Sequence, residues 1–277
     1  MQLKYISPHG AELDLTNNAD FLLTGCDGLT AANIDIASTS LGTHDGDIVN
    51  NTRALPRGIV LYLTIRQSAN VETAKRKVLS VIKPKHSGIL RWVQDGRSVD
   101  ISGIVEAVTM ARFVRGVVLQ ISLHCPQPYW EDTAYVITQI QEIVKLHHFS
   151  VAFPQSSGVV FGKYDLNMTR SIINDGDAEI GAVITIIATG KITNPLLQRA
   201  DGVFFGVNET LEAGESIVIS TVKGKKTVTK NGVNIIHKVL PGSTWLQLDV
   251  GENILTISEA GGTRNMYFSF EYRQKYV

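Results

Sequence analysis

The sequence predicts a mainly β protein with two short helices, arranged as an N-terminal β domain with a packed helix followed by a C-terminal antiparallel β-sandwich. Three observations predict it. Apolar residues alternate at period two in run after run, most cleanly at Ile59, Leu61, Leu63 and Ile65 and again at Met266, Phe268, Phe270 and Tyr272. The runs are short and separated by Gly, Asn and Asp turn formers. Helical spacing appears in only two stretches, both before residue 150.

The strand Arg57–Ile65 organises the first half. Its second face carries Val60, Tyr62 and Thr64, residues that strands favour. After Gln67-Ser68-Ala69-Asn70 the period changes, and Val71, Ala74, Val78, Leu79 and Ile82 share one helix face. Asn70 caps this helix, Glu72 suits its positive first turn, and Lys83-Pro84 ends it, giving a helix over 71–83. Ahead of the strand, Leu3 to Ile6, Glu12 to Leu15, Phe21 to Thr24 and Ile34 to Ser38 read as short strands. Gly42 to Asp47 and Asn50 to Pro56 read as one long polar loop.

Beyond Pro84, Asp95-Gly96 marks a hairpin between Ile89–Val93 and Ser98–Ile101. Gly103–Ala111 and Val117–His124 are two further strands. A second helix is expected over 132–148, with Val136, Ile140, Ile143, Val144 and His147 on one face. The domains are therefore placed at 1–133 and 151–277, with a helical junction at 134–150. The second domain reads as strands throughout. Ala182–Ala188 is apolar on both faces, Asn231-Gly232 is a type I′ turn, and Ser216–Val222, Thr227–Thr229, Val233–His237, Thr244–Leu248 and Asn253–Ile257 precede the last alternating strand.

Lysine plus arginine and aspartate plus glutamate each number 26, so the formal net charge is zero. That argues against a dedicated nucleic-acid binder, which needs a basic surface. No apolar run approaches the length of a membrane span, and the start lacks a signal-peptide core. Cys26 and Cys125 match no metal or redox spacing and read as free thiols.

The search for chemistry yields little. There is no phosphate-cradling loop, dinucleotide fingerprint or nucleophile elbow. His124-Cys125 are neighbours on a strand and point to opposite faces, so they do not form a nucleophile–base pair. His147-His148 has no second pair at metal spacing. Asp45-Gly46-Asp47 and Asn174-Asp175-Gly176-Asp177 offer oxygens without the distal glutamate of a calcium loop, and read as turns. Lys223-Gly224-Lys225-Lys226 reads as a solvated hairpin tip. Trp245, Tyr267 and Tyr272 are the residues of a candidate sugar platform on the second domain, against the commoner use of such rings in a core. The expectation is a non-enzyme with no catalytic residue, metal or cofactor.

The order of elements resembles the distal tail proteins of long-tailed bacteriophages. The residues that carry it are Asp27-Gly28-Leu29, Gly42 to Gly46 ahead of Arg57-x-Ile59-x-Leu61-x-Leu63, the helix ending at Pro84, Gly103-Ile104-Val105-Glu106, and Leu123 to Trp130. In the second half they are Gly190-Lys191-Ile192-Thr193-Asn194-Pro195, Asn231-Gly232 and Gly251-Glu252-Asn253. The resemblance implies that the first domain forms a hexameric ring and that the second is a galectin-like sandwich displayed outside it. It further implies a virion hub, assembled in the host cytoplasm. The hub joins the tail tube protein to baseplate or receptor-binding proteins, with a channel for tape-measure protein and DNA and no membrane insertion. Because both faces of Arg57–Ile65 carry bulky residues, Ile59, Leu61, Tyr62 and Leu63 are the candidate ring interface, and Arg57, at the strand end, is expected to be wet. The alternative function is carbohydrate binding in host recognition through the second domain; a third class is an enzyme with a scattered site.

Overall fold

The computed structural model describes residues 1–42, 45–113, 116–140, 143–145, 162–164, 169–260 and 265–277. They fall into two compact units, Met1–Thr133 with Lys275–Val277, and Ala134–Gln274. The last three residues thus belong to the first unit and residues 134–140 to the second, which departs from the boundaries expected from sequence.

The first unit contains β1 (Gln2–Ile6), β2 (Glu12–Asp14), β3 (Phe21–Asp27), β4 (Ile34–Ser40), β5 (Asp47–Ala54), β6 (Arg57–Ile65), α1 (Val71–Val81), β7 (Ser87–Gln94), β8 (Arg97–Phe113), β9 (Gly116–Cys125) and β10 (Trp130–Asp132). Its main sheet runs β2-β1-β7-β8-β9-β6-β3, with β10 pairing on the start of β8. The inward residues of β6, Ile59, Leu61 and Leu63, are each 0 % exposed. Burial of each removes an aliphatic side chain from water and stabilises the unit by about 2 kcal/mol. Helix α1 closes the same core with Ala74, Val78 and Ile82. Its N-cap is Asn70, whose Oδ1 accepts from the Glu72 and Thr73 amides at 3.0 and 3.1 Å.

β8 is one strand where the sequence implies two. Gly103 sits within it because a Cβ there would stand 2.9 Å from Cys125 Sγ, so the glycine admits the neighbouring strand and breaks nothing. β4 and β5 are a hairpin, not a strand and a loop. Their register runs from Ile34 opposite Ala54 to Ser40 opposite Asp47, with a shift between Ala37 and Ser38. The polar composition of β5 conceals it, since the strand is held by its ladder and neither of its faces enters a core.

The second unit contains β11 (Val136–Ile140), β12 (Ile143–Lys145), β13 (Gly162–Tyr164), β14 (Thr169–Asn174), β15 (Val183–Ala188), β16 (Ile192–Thr193), β17 (Leu196–Arg199), β18 (Phe204–Gly206), β19 (Thr210–Leu211), β20 (Ser216–Ser220), β21 (Thr227–Lys230), β22 (Val233–Asn234), β23 (Gly251–Ser258) and β24 (Met266–Tyr272). The final strand, β25 (Lys275–Tyr276), pairs with β10 in the first unit. Sheets β11-β24-β15-β20-β21-β22 and β14-β23-β17-β18 contribute to one core, Ile184, Ile186, Phe268 and Phe270 from the first and Ile172, Leu197, Phe205 and Leu255 from the second. This is an antiparallel β-sandwich, and the protein is mainly β as the alternation predicts.

The expected helix over 132–148 is not formed at its described positions. Val136–Ile140 is a strand paired with β24, Val136 opposite Tyr272. Thr133, Val136, Ile137, Thr138 and Ile140 are β-branched, and the open edge of β24 decides between two periodicities that a short apolar run leaves ambiguous. Residues 146–148, including His147 and His148, lie outside the described residues. Thr244–Leu248 is not a strand either; it makes single exchanges, Leu248 with Ile180 and the Thr244 amide with the Phe204 carbonyl. Val233–His237 is a two-residue strand followed by a 3-10 turn at Ile236–Lys238.

Candidate assembly interface

The two faces of β6 have different fates. Ile59, Leu61 and Leu63 lie wholly inside their own unit and present no surface to a partner. Of the four candidate interface residues, only Tyr62 faces outward. Directly opposed residues in an antiparallel sheet share a face. Tyr62 therefore stands in a row with Gly25 on β3, Gln120 on β9 and Thr109 on β8. Gly25 lies at a register shift in β3, and a Cβ there would approach the Tyr62 ring to 3.3 Å. The row borders a shallow hollow of about 450 Å³ lined by Thr24, Gly25, Tyr62, Thr109, Val118 and Gln120. Thr24 Oγ1 donates to the Tyr62 carbonyl at 3.2 Å and lies 3.0 Å from Thr64 Oγ1, pinning the rim.

The second surface is the β4–β5 arm. Ile34 and Ile36 share a face with Ser38, and Val49 opposes Ser38 across the shifted ladder. One face of the arm is therefore an apolar stripe, with Ile34, Ile36 and Val49 exposed at 62, 58 and 58 %. The other face carries the Arg53–Asp35 ion pair at 2.9 Å. An exposed two-stranded ribbon with one apolar side has no core of its own and is only marginally stable alone. Sequence reasoning missed it because its polar strand reads as loop; the surviving signal is β-branched Ile48, Val49 and Thr52 in that stretch.

Arg57 is the largest correction. It is 2 % exposed, not wet. It opposes Cys125 across the β6–β9 ladder, its Cζ lies 5.9 Å from the Trp130 ring centroid, and its Nη1 donates to the Leu29 carbonyl at 2.9 Å. Trp130 Nε1 donates to the same carbonyl at 3.1 Å. Arg57 Nε and Nη2 have no hydrogen-bond partner. Burial pushes the Arg57 pKa down, with Cys125 opposing. Burial also pushes the Cys125 thiol up to about 11, against the pull of Arg57. A thiol held neutral in this way is inert at neutral pH.

The remaining candidates assemble no chemistry. His124 faces outward, 4.0 Å from Glu106, while Cys125 is inside. Asp47 Oδ2 accepts from Ser38 Oγ within the arm, and Thr43 and His44 of the adjoining loop lie outside the described residues. Asn174 is a turn-former: its Nδ2 donates to the Ala178 and Leu248 carbonyls, and its Oδ1 accepts from the Gly176 amide. Among the described residues no group of three or more His, Cys, Asp or Glu stands close enough to hold a metal ion. No described helix is long and apolar enough to cross a membrane. Lys223 pairs with Glu179, and Lys226 Nζ sits 5.5 Å from the Trp245 ring centroid.

The sugar platform is not assembled. Tyr272 is 3 % exposed and donates through its hydroxyl to the Ile173 carbonyl. Trp245 is half-buried and packs on Phe205, with ring centroids 4.9 Å apart. Tyr267 pairs across from Ile187 on the outer face of the six-stranded sheet. The three rings serve two different sheets and the core.

Residues 175–276 match the family model described as the C-terminal domain of a siphovirus-type tail component. The second unit is thus similar to a phage tail component. The resemblance carried by turns and strand patterns is borne out there on sequence. Over the whole chain, the fold is that of SPP1 Dit, described in its crystal structure as a paradigm of hub adsorption apparatus in phages infecting Gram-positive bacteria. The TM-score is 0.71 at 15 % identity, with 99 % of each chain covered. The phage P2 baseplate, in its activated conformation with calcium, gives 0.53 at 13 % identity, covering 99 % of this chain and 97 % of that one. Its strontium form gives 0.50 at 13 %, covering 98 and 97 %. No curated protein sequence matches the chain. At these identities the structural likeness establishes the fold alone.

Proposed function

We propose that the protein is a structural, non-enzymatic component of a bacteriophage tail tip. In this reading six copies close a ring through the first unit. The ring joins the tail tube to the adsorption apparatus or baseplate and leaves a channel for tape-measure protein and DNA. The family match of the second unit and the fold of the whole chain support a tail component. The observation that carries the ring is the arm, whose stripe of Ile34, Ile36 and Val49 stays exposed among the described residues. A closed ring gives every arm the same neighbour and repeats the contact at each interface. The outward Tyr62 hollow is the second surface available for that contact. Zero net charge agrees with a channel that DNA passes without specific binding.

The test is Ile36→Asp, which lies on the arm and touches no core. Wild-type chain sediments as a ring, and the variant sediments as a monomer that still unfolds cooperatively, its melting midpoint lowered only by the lost assembly. A variant that still forms the ring removes the arm from the interface.

A further inference from the structure

Arg57 poses a physical question of its own. A buried guanidinium facing a neutral thiol, with two of its nitrogens unpartnered, destabilises a unit relative to an apolar side chain of similar volume. Its one hydrogen bond goes to the Leu29 carbonyl, which also receives the Trp130 indole N–H. Leu29 belongs to the turn that follows β3 and leads into the arm. Gly28, at φ +81°, lies against the β6 backbone so closely that a Cβ would stand 2.0 Å from the Gly58 carbonyl oxygen. On the returning side, the Leu55 amide donates to the Asn33 carbonyl at 2.8 Å and closes the arm's base two residues before Arg57. The outgoing root is thus held at the buried Leu29, and the returning root is tied to it through Asn33 just before the buried Arg57. β3 and β6 are paired up to Asp27 opposite Val60, and the arm starts beyond that pair.

We propose that Arg57 and Trp130, converging on the Leu29 carbonyl, form a clamp that sets the direction of the β4–β5 arm relative to the sheet. Arg57 is then a positioning residue for assembly, in which part the inference rests on the ring reading. The clamp explains why a charged side chain occupies a core position: an aliphatic residue fills the space without reaching Leu29. Two donors on one carbonyl fix both the turn's position and its orientation, since each arrives from a different strand, β6 and β10. The arm has no core to hold it, so its direction depends on its root.

The experiment uses the full chain with Cys26→Ser, spin-labelled on the exposed Asn51→Cys of the arm's other face and Arg76→Cys of α1. An excess of unlabelled chain ensures that only intrachain distances are read. The expected result is a narrow distance distribution in the parent, which broadens at least twofold in Arg57→Met and in Trp130→Phe while the first unit keeps its melting transition. Sedimentation of the same proteins then shows at least a tenfold higher concentration needed for half-assembly. Trp130→Phe keeps an aromatic ring against Trp92 while removing the donor and part of the indole volume, so with its melting transition retained it decides the matter if Arg57→Met fails to fold. A broad distribution in the parent, a narrow one in both variants, or broadening only together with loss of the melting transition overturns the clamp. If every protein is monomeric, the ring reading fails, and the distance distributions still decide the clamp.

Discussion

On the ring reading, neighbouring residues on β6 separate folding from assembly, and substituting them in parallel tests both. Leu61 is 0 % exposed, flanked by Cys26 on β3 and Ile121 on β9. Truncation in Leu61→Ala removes its transfer term and leaves a cavity between two ladders, costing about 2–5 kcal/mol. For a unit of this size about 1 kcal/mol moves the melting midpoint by about 4 °C, so the first transition falls by about 8–20 °C. Leu61→Asp adds an unpaired buried charge worth several kcal/mol more, comparable with a typical total stability of about 5–15 kcal/mol, and the first unit unfolds. Tyr62 is one residue away and faces outward. Tyr62→Asp loses the ring contact with Gly25 and some strand propensity, about 1 kcal/mol, or less than about 5 °C. It places a carboxylate in the hollow that the ring reading assigns to a neighbour. Calorimetry and sedimentation on the same samples give the pattern: Leu61→Ala melts early, and Tyr62→Asp melts normally but stays monomeric. If Tyr62→Asp unfolds the unit while Leu61→Ala leaves its midpoint in place, the assignment of the two faces is wrong.

Three further outcomes are expected. Gly88→Ala puts a methyl about where the Tyr5 hydroxyl oxygen lies, 2.1 Å from the built Cβ; it lowers stability by about 1–3 kcal/mol, and Tyr5→Leu recovers part of the loss in a thermal-melt cycle. Because burial raises the Cys125 thiol from about 9 to about 11, the folded state keeps a proton that the unfolded chain releases. Its stabilisation is intact below about pH 9 and is lost as pH rises toward 11, so urea titrations across that range show a smaller decline in Cys125→Ala than in wild type. Chelator treatment leaves the sedimentation profile unchanged; dissociation on chelation alone would implicate Asp45, Asp47, Asp175 and Asp177.

Much of this fold is written locally. β6 occupies Arg57–Ile65 as its alternation predicts, and α1 begins at the Asn70 cap. Asp95-Gly96 and Asn231-Gly232 turn with positive φ at both residues, as their side chains permit. β24 buries Met266, Phe268, Phe270 and Tyr272 in alternation. What escaped the sequence depends on distant partners. β11 is a strand because β24 offers an edge, and β8 passes through Gly103 because Cys125 needs the space. The polar β5 exists only by pairing with β4, so no core pattern marks it. Arg57 looked like a wet strand end, since nothing in the order of residues tells that Leu29 and Trp130 converge on it. That Tyr62 lies on the face opposite Ile59, Leu61 and Leu63 was legible from the alternation, whereas the assignment of those three to the core needed the structure.

The central claim is that this chain closes a ring, and the mass of the purified protein in solution, with negative-stain images of the same sample, tests it most directly. The account predicts a particle of about six times the 30.3 kDa chain, appearing end-on as a ring with a central channel. A mass of one chain at every concentration, with no ring in the images, would contradict it.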